Sequence, residues 1–199
     1  MASFNKTTLV AFIAVVFVAS TGTAQSIDLS VLEAINPRHP NSQYWIGTSS
    51  SAYWIPAAAC FGTLTFGLLK NDKHSRVKAF EFFIAVGGGI LTTEIIKPIV
   101  NRTRPADAYP ALIFTNSPTH GPSFPSGHAT LAFSTASMIT LQYMKWYVAI
   151  PAYLWAGTVA YSRMYLGKHY PSDVLAGSAI GIASSYVTRW LTKKIFKYE

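Results

Sequence analysis

Five apolar stretches, Ala52–Leu69, Phe80–Ile96, Ala129–Met144, Trp146–Ser162 and Val174–Trp190, fill most of the chain after residue 50, and short polar connections join several of them. At helical rise each is long enough to cross most of a hydrocarbon layer about 30 Å thick. They are rich in Ala, Gly and Ser rather than Leu, which suits close helix contacts in lipid. Gly87-Gly88-Gly89 and the stretch from Gly177 to Gly181 are therefore expected as packing faces. Only 12% of the residues are charged, 50% are hydrophobic and mean hydropathy is +0.27. Soluble domains carry about a quarter charged residues. The expected fold class is all-α, a polytopic membrane helical bundle of five spans.

The N-terminus adds one more segment. Lys6 precedes the apolar run Leu9–Ala19, and the small-residue stretch STGTAQS follows it. A basic start, a short apolar run and a small-residue exit describe a secretory signal, with cleavage expected after Ala24. The alternative is an uncleaved sixth, N-terminal span. Residues 1–24 are thus a signal peptide or first membrane helix, residues 25–51 an exported helix (around Asp28–Ile35) and loop, and residues 52–199 the membrane domain. The single Cys60 lies in an apolar run, reads as a small core residue and permits no intramolecular disulfide.

The net charge of +8 raises the question of nucleic acid, but no nucleic-acid-binding motif accompanies it. Topology explains it instead. With the segment after residue 24 exported, the connections on the inner side hold Lys70, Lys73, Arg76, Lys78, Lys145, Arg189, Lys193, Lys194 and Lys197. The exported side holds fewer cations: Arg38, Lys97, Arg102, Arg104, Arg163 and Lys168. That bias is the positive-inside pattern, and it decides against a soluble all-helical protein.

The same topology puts every unusual polar cluster on the exported face. KPIVNRTRP gives Lys97, Arg104 and Pro105; PSFPSGHAT gives Ser126, Gly127 and His128; SRMYLGKHYPSD gives Arg163, His169 and Asp173. Each fragment has an ordinary structural reading. Lys97 and Arg104 serve as interfacial anchors, Ser126 as a helix cap, and His169 with Asp173 as a structural hydrogen bond. Charged groups at membrane depth are costly, however, and usually line a site. Three fixed cations beside the free amides of a helix start make a cage for a multiply charged oxyanion. One His backed by a carboxylate is an oriented nucleophile, and a second can protonate a leaving oxygen. Two His and one Asp also resemble a metal-ligand set, but three neighbouring cations oppose a dication, so neither metal nor other cofactor is expected.

Lys97-x6-Arg104-Pro105, Pro125-Ser126-Gly127-His128 and Ser162-Arg163-x5-His169-x3-Asp173 together resemble the three-part signature of the type-2 phosphatidic acid phosphatase superfamily, which also contains class A acid phosphatases and vanadium haloperoxidases. All eleven specified positions match. The resemblance implies the helical core of the acid phosphatases and haloperoxidases. It also implies His169 as nucleophile, Asp173 as acceptor from its other ring nitrogen and His128 as proton donor to the leaving group. Lys97, Arg104 and Arg163, with the Ser126 hydroxyl and the Gly127 amide, would hold the phosphoryl oxygens. The implied protein is a metal-independent lipid phosphatase of a bacterial inner membrane, its site facing the periplasm, partnered by the bilayer and by a lipid phosphate. Undecaprenyl diphosphate is the leading substrate; phosphatidylglycerophosphate, phosphatidate and lipid A phosphates are alternatives. A lipid phosphotransferase, a soluble periplasmic acid phosphatase, a haloperoxidase and a scaffold with a dead site complete the readings. Glu94 is expected either to pair with Lys97 or to be plain interior polarity, and His120 to be an exposed loop residue. The loop aromatics Tyr109, Phe114 and Phe124 are read as a lid or an interfacial belt.

Overall fold

A computed structural model of the chain describes residues 22–196, and every described helix falls where apolar or capped sequence requires one. Chain order gives α1 (Gly22–Ile35), α2 (Gln43–Leu69), α3 (Lys73–Val100), α4 (Pro105–Ala108), α5 (Gly127–Tyr143), α6 (Trp146–Tyr165) and α7 (Pro171–Phe196). Each of the five apolar stretches forms the body of one long helix. The signal or first span expected over residues 1–24 lies almost wholly outside the described residues. Helices α2 and α3 are by length and hydropathy sufficient to cross a membrane.

The boundaries reflect local chemistry. Helix α2 begins at Gln43, well before the Ala52 expected from hydropathy, and its first turns hold serines whose hydroxyls bond back into the helix: Ser50 Oγ donates to the Ile46 carbonyl at 3.0 Å and Ser51 Oγ to Thr48 O at 2.6 Å. Such back-bonding satisfies the hydroxyls within the helix. Asp72 starts α3 by accepting from the amides of His74 (3.0 Å) and Ser75 (3.3 Å). Asn101 ends it in the left-handed region at φ 45°, a conformation asparagine tolerates better than most residues.

Burial is inverted relative to a soluble protein. The outer surface carries Trp54, Phe61, Leu69, Phe83, Leu91, Ile99, Leu154 and Leu175, with Trp54 and Ile99 each 75% exposed. The interior holds Ala52, Ala129, Ala132, Ala136 and Ala156 with Thr93, Thr130, Ser134, Thr135, Ser137 and Ser185. Large apolar side chains facing out and small or hydroxyl ones facing in are what a bundle solvated by lipid requires.

Helix α5 is central, packed against α2, α3, α6 and α7. Its approach to α7 is close because Gly177 and Gly181 have no side chain. A Cβ on Gly177 would meet the Ser126 carbonyl, and one on Gly181 would lie 2.5 Å from the Thr130 carbonyl. Thr130 Oγ1 donates to Gly177 O (3.1 Å) and Ser185 Oγ to Ser134 O (2.9 Å) across the same seam. The Gly87–Gly89 run divides: a Cβ on Gly89 would lie 3.0 Å from Thr130 Cγ2, whereas one on Gly87 would meet nothing within 4 Å, and Gly87 lines a groove. We expect Gly177→Ala to cost about 1–3 kcal/mol, the usual cost of overpacking a filled interior. The check is thermal unfolding in detergent, with activity per folded molecule falling too because Ser126 is displaced.

At the end of the bundle where α3 begins, Glu81, 1% exposed, takes both 2.8 Å contacts of Arg189 Nη1, and Gln142 Nε2 donates to Lys78 O (2.8 Å). These tie α3, α5 and α7 together far from the cationic cluster at the opposite end.

Candidate active site

Three chain segments converge at one end of the helix bundle. The loop after α3 brings Arg104; the start of α5 brings Gly127 and His128; the end of α6 and the α6–α7 turn bring Arg163 and His169. Together with Lys97 they line one cavity of about 470 Å³, with Tyr53, Ile90, Glu94, Thr119, His120 and Leu131 completing its wall.

His169 is the most constrained side chain there, 2% exposed. Its Nδ1 lies 3.5 Å from Asp173 Oδ2, and its Nε2 lies 3.5 Å from Arg104 Nη1. The ring thus turns one nitrogen to a carboxylate and the other to the cationic cavity. Burial pushes its pKa down to about 4 and outweighs the opposing hydrogen bond and charge of Asp173, with smaller downward contributions from Arg163 and Arg104. The imidazole is accordingly neutral, with a lone pair on the cavity side when Nδ1 carries the proton.

Asp173 is wholly buried and sits behind His169 rather than in the cavity wall. Oδ1 accepts from Arg102 Nη1 (2.7 Å); Oδ2 accepts from Tyr170 N (2.9 Å) and from the Ser123 hydroxyl at short range. With these partners its oxygens have little capacity left for a metal, whereas three donors and one imidazole suit an orienting carboxylate.

Arg104 donates to the carbonyls of Lys168 (3.0 Å), Gly121 (3.0 Å) and His120 (3.4 Å), which fixes its guanidinium beside His169. Arg163 Nη1 donates to Ser49 Oγ on α2 (2.6 Å), while its buried Nε has no partner. Ser126 is at the α5 N-cap, yet its hydroxyl caps nothing and is likewise buried and unpartnered. The simple capping reading of Ser126 therefore fails. Buried polar atoms left unsatisfied cost about 1–3 kcal/mol each; Arg163 lines the cationic cavity, whereas Ser126 lies behind its lining neighbour Gly127 and does not itself reach the wall. Lys97 reaches the cavity rim, paired with Glu94 at 2.5 Å, as one of the two readings of Glu94 expects.

His120 is exposed, as expected, but it also stands at the cavity mouth. Of the three aromatic loop residues, Phe124 and Tyr109 are drawn into packing, and Phe114 is half-buried. Phe124 is 1% exposed beneath the loop, and Tyr109 packs beside the Leu32–Ile113–Tyr170 cluster. Ser162 stays out of the cavity, its hydroxyl bonded to Val159 O at 2.6 Å.

Several residues of the site carry no sequence signal of their own. Arg102, Ser123, Asp28 and Ser49 act behind the cavity, through other side chains. Lys168 is 8% exposed and donates to Ser117 Oγ (2.7 Å); burial, with Arg163 and Arg104 close by, lowers its pKa to about 8. Arg102 and Lys168 were countable only as exported cations. A second, apolar groove of about 550 Å³ runs between α2 and α3, lined by Pro56, Cys60, Phe61, Leu64, Phe83 and Val86. It shares Tyr53 and Leu131 with the polar cavity.

Comparison with known proteins agrees with this arrangement. Residues 78–197 match the PAP2 superfamily. The lipid A 4'-phosphatase of Bacteroides thetaiotaomicron is 29% identical over 85% of this chain and 78% of its own length. An undecaprenyl-diphosphatase of Sulfolobus acidocaldarius is 32% identical over 68% of this chain and 61% of its own. The crystal structure of a transmembrane PAP2 type phosphatidylglycerolphosphate phosphatase from Bacillus subtilis superposes with a TM-score of 0.74 over 96% of both chains, at 19% identity. With the cationic cavity, the lipid-facing surface and these likenesses in hand, the chain belongs to the PAP2 superfamily, in its membrane lipid phosphatase branch.

Proposed function

We propose that this protein removes a terminal phosphate from a membrane lipid through a phosphohistidine on His169, working at the outer face of a bacterial inner membrane. The observation that carries the reading is the gathering of His169, His128, Arg104, Arg163 and Lys97 around one cavity, with His169 Nε2 beside the Arg104 guanidinium and Nδ1 toward Asp173.

In the first step the Nε2 lone pair of His169 attacks phosphorus and the bond to the lipid oxygen breaks. His128 gives that oxygen its proton, and Asp173 holds the Nδ1 proton of the ring as it becomes cationic. Arg104, Arg163 and Lys97, with Ser126 and the Gly127 amide, hold the phosphoryl oxygens. In the second step water attacks the phosphohistidine, His128 takes its proton, the N–P bond breaks and phosphate leaves. Phosphoryl transfer leaves little covalent work to the protein, so positioning and charge stabilisation dominate. The groove between α2 and α3 offers a hydrocarbon chain a path that ends at the cavity, at Tyr53 and Leu131.

Two substrates have specific support. A lipid A-type glycolipid phosphate is favoured by the more extensive relative, which covers 85% of the chain, and by the polar groups Glu94, Thr119 and His120 beyond the phosphate cage, which suit sugar hydroxyls. Undecaprenyl diphosphate is the second reading, supported by a relative at 32% identity. The deciding experiment is phosphate release by the purified protein in detergent with excess chelator. Lipid A, undecaprenyl diphosphate, phosphatidylglycerophosphate and phosphatidate are compared side by side, and lipid A is expected to be cleaved fastest. No release from any of them would overturn the reading.

The neutral His169 gives a pH dependence with a defined sign. Protonation removes the attacking lone pair, so kcat/KM is expected to hold a plateau as pH falls and to drop only near pH 4, where the depressed pKa lies. A pH–rate profile checks this; an acid limb at the ordinary histidine value near 6.5 would contradict it.

A further inference from the structure

Behind the His169–Asp173 pair lies a chain of charges that ends on the exported helix α1. Arg102 is its middle link: Nη1 donates to Asp173 Oδ1 and to Ser172 Oγ, both at 2.7 Å, and Nη2 donates to Asp28 Oδ2 at 2.8 Å. The guanidinium lies over the Tyr170 ring, 3.8 Å from its centroid. Asp28 is itself 5% exposed. Its Oδ1 accepts from Ser172 N (2.9 Å) and its Oδ2 from the Ser172 hydroxyl, so it also caps the positive end of α7. Leu32, fully buried against Ile113 and Tyr170, holds the middle of α1 in place. Asn36 fastens its end through Phe114 O (2.9 Å), Tyr165 O (2.8 Å) and Phe114 N (2.7 Å).

From this geometry we propose that Asp28 and Arg102 are positioning residues for catalysis, and that α1 is a built-in strap that sets the orientation and charge of the His169–Asp173 pair. The inference rests on the phosphohistidine reading above. Arg102 alone would neutralise Asp173 and weaken its hold on the Nδ1 proton of His169. Asp28 shares the guanidinium, and the triad Asp28–Arg102–Asp173 keeps a net charge of about −1 by simple formal count. That charge matters most when the phosphorylated ring is cationic, a state reached only during turnover. Asp28 therefore acts on kcat and not on substrate affinity, since the phosphate cage lies on the other side of the ring.

The test uses the full chain in detergent and the panel lipid that the wild-type enzyme cleaves fastest. Asp28→Asn is expected to lower kcat about 10- to 100-fold, by analogy with the outer hydrogen-bond partners of metal-ligating histidines. KM and the inhibition constant of inorganic phosphate should stay within about threefold, and Asp28→Glu should recover most of the rate. If Asp28 works through Arg102, adding Asp28→Asn to Arg102→Gln should cost little more than Arg102→Gln alone. The proposal is overturned by an unchanged kcat, by a loss expressed in KM or phosphate inhibition, by multiplying effects in the double variant, or by a rate loss that only follows the folded fraction. An active wild type with a dead His169→Ala and an unimpaired Asp28→Asn sinks this inference alone; an active His169→Ala sinks the phosphohistidine reading itself.

Discussion

Replacing His169 by alanine is expected to reduce phosphate release by on the order of 10⁴-fold or more, the scale on which loss of a covalent nucleophile is felt. The ring is 2% exposed and held between Asp173 and Arg104, so no neighbouring side chain is placed to substitute for it. Truncation also removes an unfavourable burial, because Nδ1 is buried without a good hydrogen bond in the resting protein. Stability should therefore change little while activity vanishes. Measuring phosphate release and the unfolding midpoint on the same preparation separates the two effects. An active His169→Ala protein would end the mechanism, since nothing else in the cavity pairs a free imidazole nitrogen with a buried carboxylate.

Arg104→Ala should lower kcat about 10²–10³-fold, the effect of removing one preorganised donor from an oxyanion site and equal to roughly 3–4 kcal/mol. The guanidinium has two duties. It stands 3.5 Å from His169 Nε2, where phosphoryl oxygens must sit during transfer, and it crosslinks the loop at His120 and Gly121 to the turn at Lys168. Lysine cannot make those three carbonyl contacts and still present charge to the cavity, so Arg104→Lys should recover less than a tenth of the lost rate. A steady-state comparison of the wild type and both variants checks this. Full recovery by lysine would mean that Arg104 contributes only a point charge.

The cavity wall could be foreseen because its residues face a ligand, and chemistry dictates their type and spacing. Lys97, Arg104, Gly127, His128, Arg163 and His169 all line one space, although they come from three separate connections. The residues behind the wall were not legible, because a second layer is chosen by packing and leaves no periodic trace. Arg102 looked like one more exported cation, yet its partners are Asp173, Ser172 and Asp28, a contact set spanning more than 140 positions of sequence. Ser49 supports Arg163 from the first turns of α2, a polar stretch that hydropathy left outside the helix although the Ser50 and Ser51 hydroxyls are satisfied within it. Ser126 shows the reverse case. Its sequence position is that of a cap, and only the geometry reveals that its hydroxyl is left over. Hydropathy identified the helices but understated how polar their contacts are, since α5 and α7 meet through Thr130, Ser134, Ser185 and two glycines rather than through leucines.

The covalent intermediate itself can be looked for. Acid-unstable, base-stable phosphate bound to protein should appear when the purified enzyme is quenched during turnover of ³²P-labelled substrate, and peptide mapping should place it on His169. With a diphosphate substrate, whose leaving group needs the His128 proton least, His128→Ala should slow release more than formation and accumulate more of it. Label found on another residue, or turnover at the full rate with no protein-bound phosphate in either protein, would show that His169 is not the nucleophile.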